Sequence, residues 1–299
     1  MTDTSQDVDP ATAAFLAHRN LLFTAAYELL GSASDAEDVL QETWLRWVDV
    51  DLDTVRDQRA YLVRIATRQA LGRLRTVGRR KESYIGPWLP EPLLTTPDIA
   101  EDVVLADSVS MAMLLVLETL TPTERAVFLL REVFELEYDE IAEAVDKSPA
   151  AARQIAHRAR SHVAARRPRG VVSPAETRDA VGAFQRAIET GDLQTLVDIL
   201  APDVVLLSDG GGVKQALLRP IVGATRVARL LAVGIPRIVG EISVEPVQIN
   251  GCPALIIRLD REIDDVVAVR IDDGLITGLY VVRNPQKLSH MQRETALCR

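Results

Sequence analysis

Apolar residues recur at helical spacing through almost the whole of residues 11 to 80. In the segment SDAEDVLQETWLRWV, Leu40, Trp44 and Trp47 fall on one face, while Asp38, Gln41, Glu42 and Leu45 fall on another. Ser34 and Glu37 read as a capping box that opens this helix. The tryptophans are most simply core. The polar face is either solvated or docks a basic partner. Residues 81 to 110 break the pattern: WLPEPLLTTPD and its surroundings carry prolines at 87, 90, 92 and 97, which forbid a continuous helix and mark a linker. Trp88 and the leucines after it are too apolar for an inert tether.

Helical spacing resumes from 111 to 168. Thr121, Pro122 and Glu124 give one helix an N-cap, a first-turn proline and a capping acid. YDEIAEAV, a short DKS turn and a helix opened by Ser148 and Pro149 follow, and two short helices joined by such a turn read as a helix-turn-helix. The last third changes character. Helices are expected from Ser173, Pro174 and Glu176, over DLQTLVDIL and over ATRVARLLAV, with VVLLSD and a triple-glycine turn between the last two. The period then switches to two in VEPVQI, ALIIRLD, VVAVRI and LITGLYVV, with Asn250-Gly251 and Asp273-Gly274 as hairpin dipeptides. That pattern predicts an α+β domain, helices over a curved antiparallel sheet.

Charge sharpens this picture. The chain has 299 residues, a net charge of −9 and 47 % hydrophobic residues, enough for two or three compact domains. The charge is segregated. Residues 59 to 81 hold eight basic residues and no acid, and 147 to 169 hold seven and no acid, inside an otherwise acidic protein. A single basic run is usually a solvated face. Two such blocks, each beside a recognisable motif, suggest two places that meet a polyanion. The second block is the second helix of the helix-turn-helix, the element that enters a DNA major groove. The polar, acidic start MTDTSQDVDP does not read as a signal peptide and no apolar run is long enough to cross a bilayer, so no membrane association and a cytoplasmic location are expected. Cys252 and Cys298 are isolated, which predicts neither a disulfide nor a zinc site. Cys252 is expected to be buried and Cys298 to lie in a loose tail.

Taken together, DAEDVLQETWLRW, RAYLVRIATRQALGRLRTVGRRK and TERAVFLLREVFELEYDEIAEAVDKSPAAARQIAHRARSHV resemble an extracytoplasmic-function (ECF) sigma factor of bacterial RNA polymerase over residues 11 to 169. The last third resembles the SnoaL-like (NTF2-like) domain fused to the SigJ-type group, whose linker bears WLPEP and whose extension bears DGGG and NPxKL. Here these are Trp88, Leu89, Pro90, Glu91 and Pro92; Asp209, Gly210, Gly211 and Gly212; and Asn284, Pro285, Lys287 and Leu288, with Gln286 at the free position. The resemblance implies a multidomain chain: an all-α sigma region 2 domain over 11–80, a linker over 81–110, an all-α region 4 helix-turn-helix domain over 111–169, a SnoaL-like α+β cone domain over 172–290 and a tail over 291–299.

The resemblance implies RNA polymerase core and promoter DNA as partners, and no cofactor, metal or catalytic residue. It places the core contact on Asp38, Gln41 and Glu42, facing a basic coiled coil. The single-stranded minus-ten element would meet Arg56, Arg59, Arg64, Arg68 and Arg73, with Tyr61 either a stacking surface or a core aromatic. Arg153, Gln154, His157 and Arg158 would face the double-stranded upstream element, since Arg and Gln can pair bidentately with base edges. Arg166, Arg167 and Arg169 would take phosphates. Three positions depart from the family pattern. Glu137 stands where Ser or Thr often starts the helix before the turn, Ile155 stands where a basic residue is frequent and suggests more burial, and Val213 intervenes between DGGG and Lys214. The linker and extension motifs are expected to touch and so to replace a separate anti-sigma protein. The alternative is a DNA-binding module fused to a SnoaL-like isomerase, cyclase or hydrolase, or to a sensor of an unidentified small ligand in the cone. Its best carboxylate is Asp209, although an Asp before three glycines is more simply a turn former.

Overall fold

The computed structural model describes residues 9–96, 102–166, 174–234, 239–291 and 294–299. Among the described residues, twelve α-helices and six strands run in the order α1 (Pro10–Leu30), α2 (Ala33–Trp47), α3 (Gln58–Glu82), α4 (Val103–Val109), α5 (Met111–Leu117), α6 (Pro122–Glu132), α7 (Tyr138–Val145), α8 (Pro149–Ala164), α9 (Pro174–Thr190), α10 (Leu193–Ile199), β1 (Leu200–Asp209), β2 (Ile221–Val222), α11 (Ala224–Gly234), β3 (Ile242–Ile249), β4 (Cys252–Leu259), β5 (Glu262–Asp272), β6 (Leu275–Val282) and α12 (Pro285–Leu288). Among the described residues no helix is long and apolar enough to cross a membrane.

The chain divides into two compact units. One gathers the described residues up to Gly78 with Leu120–Ala164 and Leu297–Arg299. The other gathers Arg79–Thr119 with the described residues from Ala165 to Ala296. In the first unit, α1 packs against α2, Leu22, Leu29, Leu40 and Trp47 are buried, and Trp47 Nε1 donates to the Ala11 carbonyl at 2.8 Å. Arg125 of α6, buried, donates to the Leu29 carbonyl at 2.7 Å and so helps satisfy the end of α1. The N-cap of α2 is Ser32 rather than Ser34: its hydroxyl accepts from the Asp35 N–H at 3.2 Å. Glu37 is spent elsewhere, in a 2.8 Å pair with Arg19. The Thr121 capping box on α6 forms as the pattern predicts. At α7 the Glu140 carboxylate reaches back to the Glu137 N–H at 2.9 Å, so that start is supported without Ser or Thr.

The second unit is built on one sheet in the order β2-β1-β6-β5-β4-β3, antiparallel except for the parallel β1–β6 pair. Beneath α9, α10 and α11 the space is filled by Val181, Phe184, Leu196, Val227, Leu255, Val269 and Leu279. The opposite face is also covered: Ala254, Ile256, Val266, Ala268, Tyr280 and Val282 pack against Leu89, Met111, Leu288 and Met291. Both faces of β4 to β6 are thus apolar, which is why ALII, VVAV and LYVV read as runs more than as alternation. The expected linker contains α4, and α5 joins the extension's unit instead of the helices that follow it.

The tail is tied down rather than loose. Leu297 is buried, and the Cys298 N–H donates to Thr24 Oγ1 at 3.1 Å. Cys252 is half-buried as a residue, but its thiol is shielded and is pushed up to about 12. Ser173, Arg167 and Arg169 lie outside the described residues.

Candidate functional sites

On α2, Asp38 and Gln41 are exposed and Glu42 is half-buried, with exposed Leu45 on the same face. The face is not bare. Arg73 of α3 reaches across to it, its Nε donating to Asp35 Oδ1 at 2.9 Å, its Nη1 to Glu42 Oε1 at 2.9 Å and its Nη2 to Asp38 Oδ2. Arg73, expected on the minus-ten strand, is therefore turned toward the acidic face.

The rest of α3 splits its basic residues. Arg59 donates to the Phe134 carbonyl at 3.1 Å, Arg64 to Glu143 Oε2 at 2.5 Å and Arg68 to the Glu143 carbonyl at 2.6 Å. Three of the arginines expected to meet DNA phosphates are thus engaged by α7 and the loop before it. Arg56 is exposed. Tyr61 is half-buried, 5.8 Å from the Trp47 ring and with the Arg64 guanidinium 4.4 Å over its own.

On α8, Ala152, Ile155, Ala156, Ala159 and Val163 face the core. Arg153, Gln154, His157, Arg158 and Arg166 are exposed. The burial of Ile155 follows from its place on the inward stripe. Ser148 Oγ accepts from the Ala151 N–H at 3.2 Å and starts the helix. Among the outward residues, the Arg153 guanidinium stands 5.5 Å over the Tyr138 ring, while Arg160 pairs with Glu132 at 2.6 Å.

The three motifs of the second unit meet in one buried junction. Asp209, 0 % exposed at the end of β1, accepts from the Leu89 N–H at 2.8 Å, the Tyr84 hydroxyl at 2.5 Å, the Gly211 N–H at 3.1 Å and Lys287 Nζ at 2.8 Å. Lys287 Nζ also donates to the Leu89 carbonyl and stands 3.5 Å over the Trp88 ring and 4.9 Å from that of Tyr84. Burial pulls this ammonium down from the usual lysine range, while Asp209 opposes the shift. Burial and the bond to Asp209 hold the Tyr84 phenol well above its ordinary value. Asn284 caps α12 through its Oδ1 and donates from Nδ2 to the Tyr84 hydroxyl at 2.8 Å. Gly211 has φ +62, and a Cβ there would run into the Asn284 amide, so the motif needs glycine both for its turn and for the close approach. Leu89, Pro90, Glu91 and Pro92 are buried, and Leu288 packs in the cluster with Leu89.

Two further groups belong to the junction. Tyr84 lies four residues before the linker motif. Asn250, fully buried, accepts from the Leu93 N–H at 2.9 Å, donates from Nδ2 to the Val109 carbonyl at 2.8 Å, and its own N–H reaches the Leu93 carbonyl at 2.9 Å. The Asn250-Gly251 dipeptide signalled a hairpin, but nothing local signalled that the same side chain would anchor the linker. Lys214 pairs with Asp264 at 2.6 Å, beside an Arg283–Asp265 pair at 2.5 Å, and takes no part in the junction.

These features define a helix-turn-helix protein with a fused α+β extension clamped to its linker. The sigma-70 region 2 family model matches residues 14–80 and the sigma-70 region 4 model residues 110–163. The chain is 34 % identical over 293 residues to the ECF RNA polymerase sigma factor SigJ of Mycobacterium tuberculosis, covering 92 % of each chain. It is 32 % identical over 289 residues to the probable ECF RNA polymerase sigma factor SigI of the same species, covering 96 % of this chain and 97 % of that one. The crystal structure of M. tuberculosis SigJ superposes with a TM-score of 0.75 at 32 % identity, covering 93 % of this chain and 98 % of that one. The chain belongs to the ECF RNA polymerase sigma factors.

Proposed function

We propose that this sigma factor uses Asp38, Gln41 and Glu42 to bind core polymerase and Arg153, Gln154, His157 and Arg158 to read the upstream promoter duplex. Arg56, Arg59, Arg64 and Arg68, with Tyr61, hold the displaced minus-ten strand. The first unit as it stands is ready for only part of this work. The reading face of α8 is exposed, whereas Glu143 and two main-chain carbonyls occupy Arg59, Arg64 and Arg68. Capture of the single strand then requires these donors to exchange protein oxygens for phosphate oxygens.

The extension regulates by holding the linker. The observation that carries this reading is the buried Asp209–Lys287 pair, closed over Leu89 and Trp88. It joins the extension's two motifs to the linker's motif in one network, as a built-in substitute for a separate anti-sigma protein. A non-catalytic extension fits the same geometry. Asp209, the best candidate base, has no exposed surface and its carboxylate accepts four hydrogen bonds, so no substrate atom can reach it.

Run-off transcription with core polymerase tests the proposal, using equal concentrations of the whole chain and of chains ending at Val282 and at Gly170. Ending at Val282 removes Asn284 and Lys287 and should raise transcription. Ending at Gly170 should lower it, because an unanchored linker costs entropy when both DNA-binding regions must engage one promoter. Equal activity from all three would remove any regulatory role for the extension.

A further inference from the structure

We propose that Arg73 is a positioning residue for the polymerase contact and not a DNA ligand: it gathers Asp35, Asp38 and Glu42 around one guanidinium and presents the two outer carboxylates to core polymerase. The inference rests on the reading that Asp38, Gln41 and Glu42 form that contact.

The geometry is specific to arginine. Its three nitrogens take three different carboxylates, Asp35 from Nε, Glu42 from Nη1 and Asp38 from Nη2, a fork that a lysine point charge cannot reproduce. The innermost partner fixes the fork. The Asp35 side chain is 8 % exposed, whereas those of Asp38 and Glu42 are 50 % and 45 % exposed. Each outer carboxylate gives one oxygen to Arg73, so Asp38 Oδ1 and Glu42 Oε2 carry no bond to the guanidinium. With the Gln69 amide turned so that its oxygen faces Arg46, its nitrogen supports Glu42 Oε2 at 3.1 Å. Without the clamp, two like charges four residues apart on one helix face would repel and disperse over their rotamers.

Two effects of losing Arg73 oppose each other. A more negative face attracts a basic partner more strongly, but charge at this exposure is screened and returns at most about fivefold in affinity, below the midpoint of the ordering cost for two side chains. Letting both carboxylate side chains go loose costs between about twofold and tenfold for each one that binding must order again. The second effect wins.

The test measures the affinity of the full chain for core polymerase and the salt dependence of its binding to a single-stranded minus-ten oligonucleotide. R73Q should weaken core binding about tenfold and leave the salt slope on the oligonucleotide unchanged. R73K should fall between R73Q and the unaltered chain. Because R73Q takes the guanidinium away from the buried Asp35 carboxylate, D35N/R73Q is measured beside it. That variant should regain thermal stability while core binding stays weak, a separation that a purely structural role would not produce. Three results count against the proposal. Unchanged core binding by R73Q, while D38K/E42K loses binding, overturns it. A salt slope lower by about 0.7 returns Arg73 to the phosphate ligands. If D38K/E42K itself binds core normally, the underlying reading of the α2 face has failed instead.

Discussion

Replacing Lys287 by methionine removes one charge from the linker junction while nearly preserving volume, so the cost is electrostatic and not a cavity. The side chains of Lys287 and Asp209 are 4 % and 0 % exposed. Removing one member of a buried ion pair typically costs about 3 to 5 kcal/mol, because the other charge is left uncompensated. Here the lower end applies, since Asp209 keeps three donors in the Leu89 N–H, the Tyr84 hydroxyl and the Gly211 N–H. The loss should fall on local opening of the junction. A cost of about 3 kcal/mol lowers the hydrogen-exchange protection of the Leu89 amide by roughly a hundredfold, with the Asn250 amide following because it bonds the Leu93 carbonyl. Amides in the core of α1, such as that of Leu22, should be unaffected. D209N alone leaves the ammonium buried without its carboxylate and should cost a similar amount. The double variant carries neither charge and should cost about 2 kcal/mol less than the sum of the two singles. Protection of Leu89 within threefold of the unaltered chain in K287M, or simple additivity in the double variant, would refute the view that this ion pair holds the linker.

E143A should free Arg64 and strengthen binding to a single-stranded minus-ten oligonucleotide. The gain is no more than about fivefold, because the pair is largely exposed and such pairs contribute at most about 1 kcal/mol. Unchanged affinity would mean that this pair does not limit access to α3. R153A and Q154A should each relax sequence preference at the upstream element by about 1 to 3 kcal/mol, read from binding to a promoter library. R167A should instead weaken all sequences alike and lower the salt slope by roughly 1. Burial raises the Asp265 carboxyl from 3.8 to about 6, so the folded extension holds this proton more tightly than the unfolded chain does. That contribution is full below about pH 4 and is lost as pH rises through 6. Its ceiling is about 3 kcal/mol by linkage. D265N should flatten the fall in stability between pH 4 and 6, measured by thermal unfolding of the extension's transition.

Local signals in the chain were strong where the fold depends on local chemistry. Thr121 and Glu124 cap α6, and Asn250-Gly251 and Asp273-Gly274 take the positive φ angles that two-residue hairpins require. The third hairpin turn was illegible. Asp260 and Arg261 both adopt positive φ without a glycine, and arginine rarely signals that conformation. The shift of the α2 cap from Ser34 to Ser32 has a similar origin, since two serines two residues apart offer equivalent caps and only the path of the chain chooses between them. Long-range pairing was hidden for another reason. The parallel register of β1 on β6, the Arg64–Glu143 pair 79 positions apart and the Asn250 anchor depend on which segments meet in space, and no window of sequence contains both partners. The linker motifs are the exception. WLPEP, DGGG and NPxKL could be expected to meet because apolar linker residues need cover and a glycine turn permits close approach, and the structure supplies Tyr84 and Asn284 as the groups that join them.

The course of the chain explains how one junction could act on both DNA-binding regions. The basic helix α3 does not end with the first unit: it runs on to Glu82, and from Arg79 onward it belongs to the extension's unit. Tyr84, the first junction residue, comes two positions later. At the other end of the linker, α5 packs with the extension's second cluster through Met111, and only residues 118–121 separate it from α6. Region 2 is therefore left, and region 4 entered, through segments whose residues the extension buries. If the whole extension is lost, the prolines of WLPEP and the apolar Leu89 and Leu93 lose their cover, and a linker of about thirty residues loses its anchor. A flexible link of that length lowers the effective concentration of one region about the other and penalises simultaneous engagement of two promoter elements. A closed junction holds the linker residues Leu89 and Leu93 buried within the extension's unit. Partial loosening at Lys287 and complete loss of the extension should therefore act in opposite directions, the first by relaxing the hold on the linker, the second by removing the anchor that makes joint binding favourable.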